Sequence, residues 1–149
     1  MISPHASDDA SQDASDAPPV LVVDDDEGAG RKTITRLARG GYAGTAESDG
    51  DDALRHVRAE LVRLVVSELY VACSEGPCVV TVLKGDRTRL PRLRVLIYTR
   101  HERDTDMEWA LATGCDALVR KSARNGIFLR EVRRLDEGQQ SSGPRPDGP

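Results

Sequence analysis

Four groups of polar residues each follow an apolar run, and their side chains could together bind a cation and a phosphoryl group. Asp24-Asp25-Asp26 follows the run 20–23, Ser67-Glu68 follows 64–66, Thr99 follows 95–98, and Arg120-Lys121 follows 117–119. Adjacent carboxylates repel one another unless a cation lies between them, and hard oxygen ligands suit Mg²⁺. A hydroxyl and an ammonium suit phosphoryl oxygens. If the fold gathers these groups, we expect such a site; the alternative is a solvated acidic loop with a surface lysine.

The apolar pattern predicts the elements that would gather these groups. Continuous apolar runs that stop at polar residues are typical of parallel strands buried on both faces. Strands are predicted at 20–23, 42–46, 64–66, 95–98 and 117–119, and helices at 28–39, 51–58, 77–84, 104–113 and 125–135. Helical spacing predicts inward faces of Ile34, Leu37 and Ala38; Ala53, Leu54 and Val57; Val79, Val80 and Leu83; Met107, Ala110 and Leu111; and Phe128, Val132 and Leu135. Gly40-Gly41 and Gly114 are predicted to end two of the helices.

Strands that alternate with helices predict an α/β fold with a parallel sheet and right-handed crossovers. In open sheets of this kind, ligands bind at the carboxyl ends of the strands. The acidic group at Asp24, together with Glu68, Thr99 and Lys121, would therefore meet at one edge of the sheet.

The charge distribution predicts one ordered domain at 19–135 between two disordered tails. Residues 1–18 carry four aspartates and no lysine or arginine, and residues 136–149 are also polar, so neither segment could bury enough apolar area to become ordered. The net charge of +2 over 19–135 is too small to indicate nucleic-acid binding. No apolar run approaches the roughly 18 residues of a membrane span. Because the polar, acidic N-terminus is not a secretory signal, we expect a cytoplasmic protein.

The three cysteines, Cys73, Cys78 and Cys115, are expected to be free thiols, because their number is odd and no secretory signal precedes them. Cys73 and Cys78 would need two further ligands at matching spacing to bind zinc, and His56 and His101 supply no paired pattern. We therefore expect no zinc site.

The order and spacing of the polar groups resemble those of response-regulator receiver domains of the chemotaxis-regulator type. The segments LVVDDDE, RLVVSELYV, VLIYTR and GCDALVRKS are similar to the acidic pair, the phosphoacceptor strand, the switch segment and the lysine segment of that family. The resemblance covers 19–135 and implies a three-layer α-β-α, flavodoxin-like doubly wound fold with strand order 2-1-3-4-5. It also implies a metal pocket of Asp24, Asp25 and the Tyr70 carbonyl, with a switch residue at Thr99 and the family lysine at Lys121.

Three residues depart from the family pattern. Glu68 stands at the phosphoacceptor position, where receivers carry aspartate, and Ser122 follows the lysine, where proline is usual. Leu118 stands at the aromatic switch position, so it cannot present a ring. Because Glu68 would supply its oxygen from the wrong depth, we expect Mg²⁺ to bind only weakly.

Glu68 has a longer side chain than aspartate, which moves its carboxylate towards Lys121 and Thr99. One interpretation is a built-in mimic of the phosphorylated state. A second is a decayed site in which Glu68 is simply paired with Lys121. A third is residual phosphoryl transfer to Glu68 or Ser67.

Two surface features could contact a partner. Trp109 is predicted to lie off the inward stripe of its helix, so it is either an exposed interface anchor or a half-buried ring lying along its own helix. Arg130, Arg133 and Arg134 form either a partner-facing basic stripe or a solvated face. Arg31, Lys32, Arg36 and Arg39, on the first helix, are open to the same two interpretations.

The leading hypothesis for function is a stand-alone, phosphorylation-independent binding module rather than an enzyme. Its output would act in trans on a signalling protein, such as a histidine kinase or a downstream effector. An ordinary phosphoacceptor receiver is one alternative. A phosphatase similar to haloacid dehalogenases is another, with Asp24 as nucleophile and Asp26 as general acid/base. The partner, the pathway and the oligomeric state do not follow from the sequence.

Overall fold

The computed structural model describes residues 19–86 and 90–140, in which strands and helices alternate along the chain. The strands are β1 (Val20–Val23), β2 (Gly44–Glu47), β3 (Leu64–Ser67), β4 (Arg94–Thr99) and β5 (Ala117–Arg120). The helices are α1 (Glu27–Arg39), α2 (Gly50–Ala59), α3 (Val79–Gly85), α4 (Asp104–Ala112) and α5 (Asn125–Gln140). Each predicted element is present, although β2 lies further along the chain than the predicted range 42–46.

The five strands form one all-parallel sheet in the order β2-β1-β3-β4-β5. At the centre, Val23 of β1 is in register with Ser67 of β3, and Ser67 is in register with Ile97 of β4. At the outer edge, Thr99 of β4 is in register with Arg120 of β5. This confirms the predicted flavodoxin-like, doubly wound α/β fold.

Alternate strand residues face opposite sides of the sheet and build a hydrophobic core on each side. On one side, strand residues such as Val65 and Ile97 pack with Leu54 of α2 and Leu83 of α3. On the other side, strand residues such as Val66 and Leu96 pack with Leu37 of α1 and with Phe128 and Val132 of α5. The sheet is therefore covered on both faces, as a parallel sheet requires.

Helix α1 is delimited by residues visible in the sequence. The Asp26 side chain accepts a hydrogen bond from the Ala29 N–H at 3.0 Å and caps the first turn. Gly40 is the C-cap, and Gly41 has φ +88°, a conformation that favours glycine. The predicted end of this helix is confirmed. Its inward face is corrected in one position, because Ala38 is exposed whereas Thr33 is buried.

Helix α4 does not present the predicted face. Leu111 was expected to point inward but is 67% exposed, and Met107 is only half-buried. The buried residues of this helix are Asp106 and Ala110, and Trp109 packs partly buried against the first core. The helix is therefore rotated relative to the prediction, because its contacts with Tyr70 hold Asp106 on the inner side.

Helix α5 continues to Gln140, so the predicted start of a disordered tail at 136 is wrong by five residues. Leu135 is buried beside Asp136 and Glu137 on the same helix. The remaining predicted tails, 1–18 and 141–149, lie outside the described residues.

The cysteines are free, as expected; Cys78 is buried, and Cys73 and Cys115 are half-buried. Burial raises the pKa of the Cys115 thiol. Within the residues that the structure describes, no group of His, Cys, Asp or Glu side chains is arranged to hold a metal ion. No helix in 19–86 or 90–140 is long and apolar enough to cross a membrane.

Candidate functional site

The carboxyl ends of four strands open into one pocket of about 390 Å³. Asp24 follows β1, Glu68 follows β3, Thr99 ends β4 and Lys121 follows β5. The pocket lining comprises Asp24, Asp25, Asp26, Ala29, Lys32, Arg36, Glu68, Tyr70, Arg100, His101 and Lys121. The residues that the sequence placed at one sheet edge are thus brought together.

Lys121 joins the two buried carboxylates of the site. Its Nζ donates to Asp24 Oδ2 at 2.6 Å and lies 3.2 Å from Glu68 Oε1. The side chains of Asp24, Glu68 and Lys121 are 4%, 5% and 17% exposed. Burial disfavours the charged amine, but the Asp24 hydrogen bond and the Glu68 charge outweigh it and raise the pKa of Lys121. Lys121 is therefore a charged cation inside the pocket.

Glu68 accepts hydrogen bonds on both carboxylate oxygens. The Leu69 N–H donates to Oε2 at 2.7 Å, and the Arg100 N–H donates to Oε1 at 3.2 Å. The neighbouring Thr99 hydroxyl also favours the charged form of this carboxylate. Burial alone would raise the pKa of Glu68, but the Thr99 hydroxyl, the two N–H groups and the Lys121 charge together lower it below its usual value. The carboxylate is therefore held ionised between two loops.

Thr99 connects Glu68 to the segment that follows β4. Its hydroxyl oxygen accepts from the His101 N–H at 3.0 Å, and its carbonyl accepts from the Lys121 N–H at 2.7 Å. Thr99 is fully buried. Its position is therefore set by its hydrogen bonds with His101 and Lys121.

The donor set does not fit a magnesium ion. Asp24 Oδ1 accepts from the Asp26 N–H at 2.9 Å, and Asp24 Oδ2 accepts from Lys121. The oxygens of Glu68 are also occupied by donors of the protein. Asp25 and Tyr70 line the pocket but are exposed. Since Mg²⁺ requires near-octahedral oxygen ligands at short distances, a metal would first have to displace Lys121.

Two side chains named in the alternative mechanisms have other contacts. Asp26 caps α1, whereas a haloacid-dehalogenase-like mechanism would require it as a general acid/base. The Ser67 hydroxyl is fully buried and donates to the Glu68 carbonyl at 2.8 Å, so it does not present itself to a phosphodonor.

The aromatic ring missing at Leu118 is not replaced on β5. Leu118 is half-buried against the first core, and Ser122 donates to Glu102 Oε2 at 2.6 Å. The neighbouring strand carries Tyr98, which is 2% exposed and stacks on Phe128 with 4.2 Å between ring centroids.

Sequence reasoning missed several basic residues of the pocket. Arg36 was grouped with the solvent-facing charges of α1, but its Nη1 donates to the Tyr98 hydroxyl at 2.9 Å. Arg100 and His101 line the pocket because they directly follow Thr99, a position that could have identified them. Arg36 had no comparable signal, since its partner is 62 positions away.

Of the predicted partner-contact residues, the three arginines are exposed and Trp109 is half-buried. Trp109 is half-buried and packs against Tyr70, with 5.6 Å between ring centroids, which favours the half-buried interpretation over an exposed anchor. Arg130 and Arg133 are exposed on α5. Arg134 pairs with Glu131 at 2.7 Å.

Several solved structures similar to this chain are receiver domains. A CheY-like response regulator receiver domain protein from Methanospirillum hungatei has a TM-score of 0.71 at 18% identity, covering 85% of this chain and 99% of that chain. The receiver domain of a signal transduction histidine kinase from Syntrophus aciditrophicus has a TM-score of 0.71 at 23% identity, covering 82% and 92%. The receiver domain of an HD domain-containing protein from Pseudomonas fluorescens has a TM-score of 0.71 at 21% identity, covering 84% of this chain and 98% of that chain. The chain thus has the fold of response-regulator receiver domains.

A curated relative is a transcriptional activator protein, ExaE, from Pseudomonas putida. It is 32% identical over 89 residues, which are 60% of this chain and 40% of that protein. The chain therefore matches less than half of that relative's length. No protein-family model matches the chain.

Proposed function

We propose that this chain is an atypical receiver domain of two-component-type signalling, which acts by protein–protein contact without phosphorylation at the usual position. The observation that carries the proposal is the position of the Glu68 carboxylate. Its Oε1 lies 3.2 Å from Lys121 Nζ, and the neighbouring Thr99 hydroxyl helps to lower its pKa. These are the hydroxyl and the ammonium that suit phosphoryl oxygens.

Glu68 supplies in advance the negative charge that a phosphoryl group would supply after transfer. The Arg100 N–H, which begins the loop after β4, also donates to this carboxylate. The same contacts could persist in a decayed site, in which Glu68 serves only as a counter-ion. The difference between a mimic and a decayed site lies in which state of the fold these contacts stabilise.

A phosphodonor test addresses phosphorylation directly. The wild-type protein, incubated with acetyl phosphate and Mg²⁺, is expected to gain no phosphoryl adduct by intact mass, whereas Glu68→Asp restores the family's phosphoacceptor and is expected to gain one. A stoichiometric adduct on wild-type Glu68 would show an ordinary receiver instead.

A comparison of backbone amide spectra separates the mimic from the decayed site. Three samples are needed: the wild type, Glu68→Asp, and Glu68→Asp with trifluoroberyllate and Mg²⁺. A mimic predicts that the wild-type amides around Thr99 and His101 resemble the trifluoroberyllate sample. A decayed site predicts that they resemble Glu68→Asp alone, and that result would retire the mimic.

The expected partner is a signalling protein in trans, either a histidine kinase or a downstream effector. The fold of the receivers and the partial match to a transcriptional activator support this class of partner. The exposed guanidinium groups of Arg130 and Arg133 on α5 remain the residues expected to contact it, and the cytoplasm remains the expected location.

A further inference from the structure

Three rings from three separate segments meet beside the pocket. Tyr70 lies after β3, His101 lies after β4, and Trp109 lies on α4. The rings of Tyr70 and His101 meet edge to face at 4.9 Å, and those of Tyr70 and Trp109 lie 5.6 Å apart. Such distances are within the range of favourable aromatic contacts. Tyr70 is the central ring, because it contacts both others.

Glu68 fixes the two loops that carry the first two rings. Its Oε2 accepts from the Leu69 N–H at 2.7 Å, one residue before Tyr70. Its Oε1 accepts from the Arg100 N–H at 3.2 Å, one residue before His101. A change in the charge or length of the side chain at position 68 would therefore move the backbone on which both rings stand.

The Tyr70 hydroxyl continues this path into α4. It donates to Asp106 Oδ1 at 2.6 Å, and Asp106 is only 5% exposed, in the first turn of the helix. This hydrogen bond lowers the pKa of Asp106 and raises the pKa of the Tyr70 phenol. The other oxygen, Oδ2, lies 3.5 Å from Nε of Arg103, whose side chain is 84% exposed. Tyr70 therefore donates a hydrogen bond to a buried carboxylate.

We propose that Tyr70 is a positioning residue that transmits the state of the residue-68 side chain to α4, through its ring contacts with His101 and Trp109 and its hydroxyl contact with Asp106. The proposal rests on the proposed function only in taking position 68 as the residue whose state is transmitted. Leu118 has no ring for this purpose, and the Tyr98 ring is stacked on Phe128 in the opposite core. Tyr70 is 40% exposed and lies between the site and the helix.

Trp109 makes the proposal measurable, because it is the single tryptophan of the sequence. Tyr70→Phe keeps the ring and removes the hydroxyl. We expect its amides in the first turns of α4 to exchange roughly tenfold faster or more, since a hydrogen bond to a charged group is lost. Tyr42→Phe is the matched control: it removes a tyrosine hydroxyl on the α5 side of the sheet, and it should leave α4 exchange and Trp109 emission unchanged.

The coupling between position 68 and α4 is tested with a double variant. Glu68→Gln is expected to shift Trp109 emission in the wild-type background but to have little further effect in the Tyr70→Phe background. An equal shift in both backgrounds would overturn the proposal, as would unchanged α4 exchange in Tyr70→Phe. Neither readout involves a phosphodonor or trifluoroberyllate. The experiments can therefore contradict the mimic hypothesis while supporting the role of Tyr70, or contradict the role of Tyr70 while supporting the mimic hypothesis.

Discussion

The extra methylene group of Glu68 changes what a carboxylate can reach at this position. Its Oε1 lies 3.2 Å from both Lys121 Nζ and the Arg100 N–H, and its Oε2 accepts from Leu69. An aspartate would hold its oxygens about one carbon–carbon bond, roughly 1.5 Å, closer to β3. The glutamate therefore spans the space between β3 and β5 that a shorter side chain would leave open.

The Lys121→Met variant tests whether the Lys121 amine prevents a metal ion from binding between the carboxylates. Removing it leaves Asp24 and Glu68 buried without their ammonium, and we expect a loss of about 3 kcal/mol of unfolding free energy. Millimolar Mg²⁺ should then raise the melting temperature of the variant while leaving the wild type unchanged.

Lys84→Met provides the control for that experiment. Lys84 donates to Asp116 Oδ2 at 2.9 Å with a side chain only 9% exposed, outside the residues that line the pocket. The Lys84→Met variant should lose unfolding free energy, but Mg²⁺ should not raise its melting temperature. Tight, sub-micromolar Mg²⁺ binding to the wild type by calorimetry would contradict the assignment of Lys121 as the cation of the site.

The lowered pKa of Glu68 predicts a pH-dependent contribution to stability. A carboxyl whose pKa is lower in the folded state stabilises the fold above its usual pKa of 4.5 and loses that effect as the pH falls through the lower folded value. The amide side chain that Glu68→Gln introduces does not ionise in this pH range. The difference in unfolding free energy between wild type and Glu68→Gln should therefore be constant near neutral pH and shrink in acid. Urea titrations across that range measure it, and a difference independent of pH would argue against the lowered pKa.

The residues at strand ends could be predicted because an apolar run and the polar residue after it are adjacent in sequence. Asp24, Glu68, Thr99 and Lys121 were found in this way. The roles of Arg36 and Tyr70 could not be, since each depends on a partner in a distant segment. Such contacts are decided by how the helices pack on the sheet.

At the scale of single elements, α4 shows where the hydrophobic pattern fails. Apolar residues occur at Met107, Trp109, Ala110, Leu111 and Ala112, so they surround the helix and mark no single stripe. The orientation is then decided by Asp106, a charged residue that the pattern assigns to solvent but that is buried beneath the Tyr70 hydroxyl. A pattern of apolar residues cannot predict that a charged side chain such as Asp106 is buried.

The predicted end of α5, at residue 135, is wrong for a related reason. Residues 136–140 are polar, which suggested a tail, but a helix that is already packed on the core can extend by a polar turn. Composition predicts whether a segment can fold alone, and α5 does not have to, because Phe128 and Val132 already anchor it.

The first residue of α2 provides a prediction about a close approach between elements. A Cβ added to Gly50 would overlap the carbonyl oxygen of Ala72 and press against Val79 Cγ2. We therefore expect Gly50→Ala to lower the unfolding free energy by about 2 kcal/mol, because the opposing atom is backbone and cannot swing aside. Gly138→Ala in α5 meets no atom within 4 Å and should be neutral or stabilising by up to about 1 kcal/mol. Denaturant midpoints measure both, and equal effects would show that helix propensity outweighs the contact.

For the molecule as a whole, the fold was predictable because the buried apolar runs and the alternation of strands with helices both indicate a parallel sheet. Apolar runs on both faces demand helices on both sides, and the parallel strands then direct their carboxyl ends to one edge. The two cores meet these demands, with α2, α3 and α4 on one side and α1 and α5 on the other.

The span of the Lys121–Asp24 ion pair has a kinetic consequence. The two residues are 97 positions apart, and Lys121 directly follows β5, which among the described strands pairs only with β4 and so lies at the edge of the sheet. Asp24 and Glu68, by contrast, come together as soon as the neighbouring strands β1 and β3 pair. We therefore expect the carboxylates to meet during folding before their counter-ion arrives.

Lys121 should therefore form its contacts after the rate-limiting step. We expect Lys121→Met to speed unfolding by most of its stability loss and to change the folding rate little, as stopped-flow denaturant series would show. A folding rate slowed in proportion to the stability loss would instead place the edge strand in the nucleus. On the expected outcome, this lysine governs how long each folded molecule lasts, and hardly affects how quickly it forms.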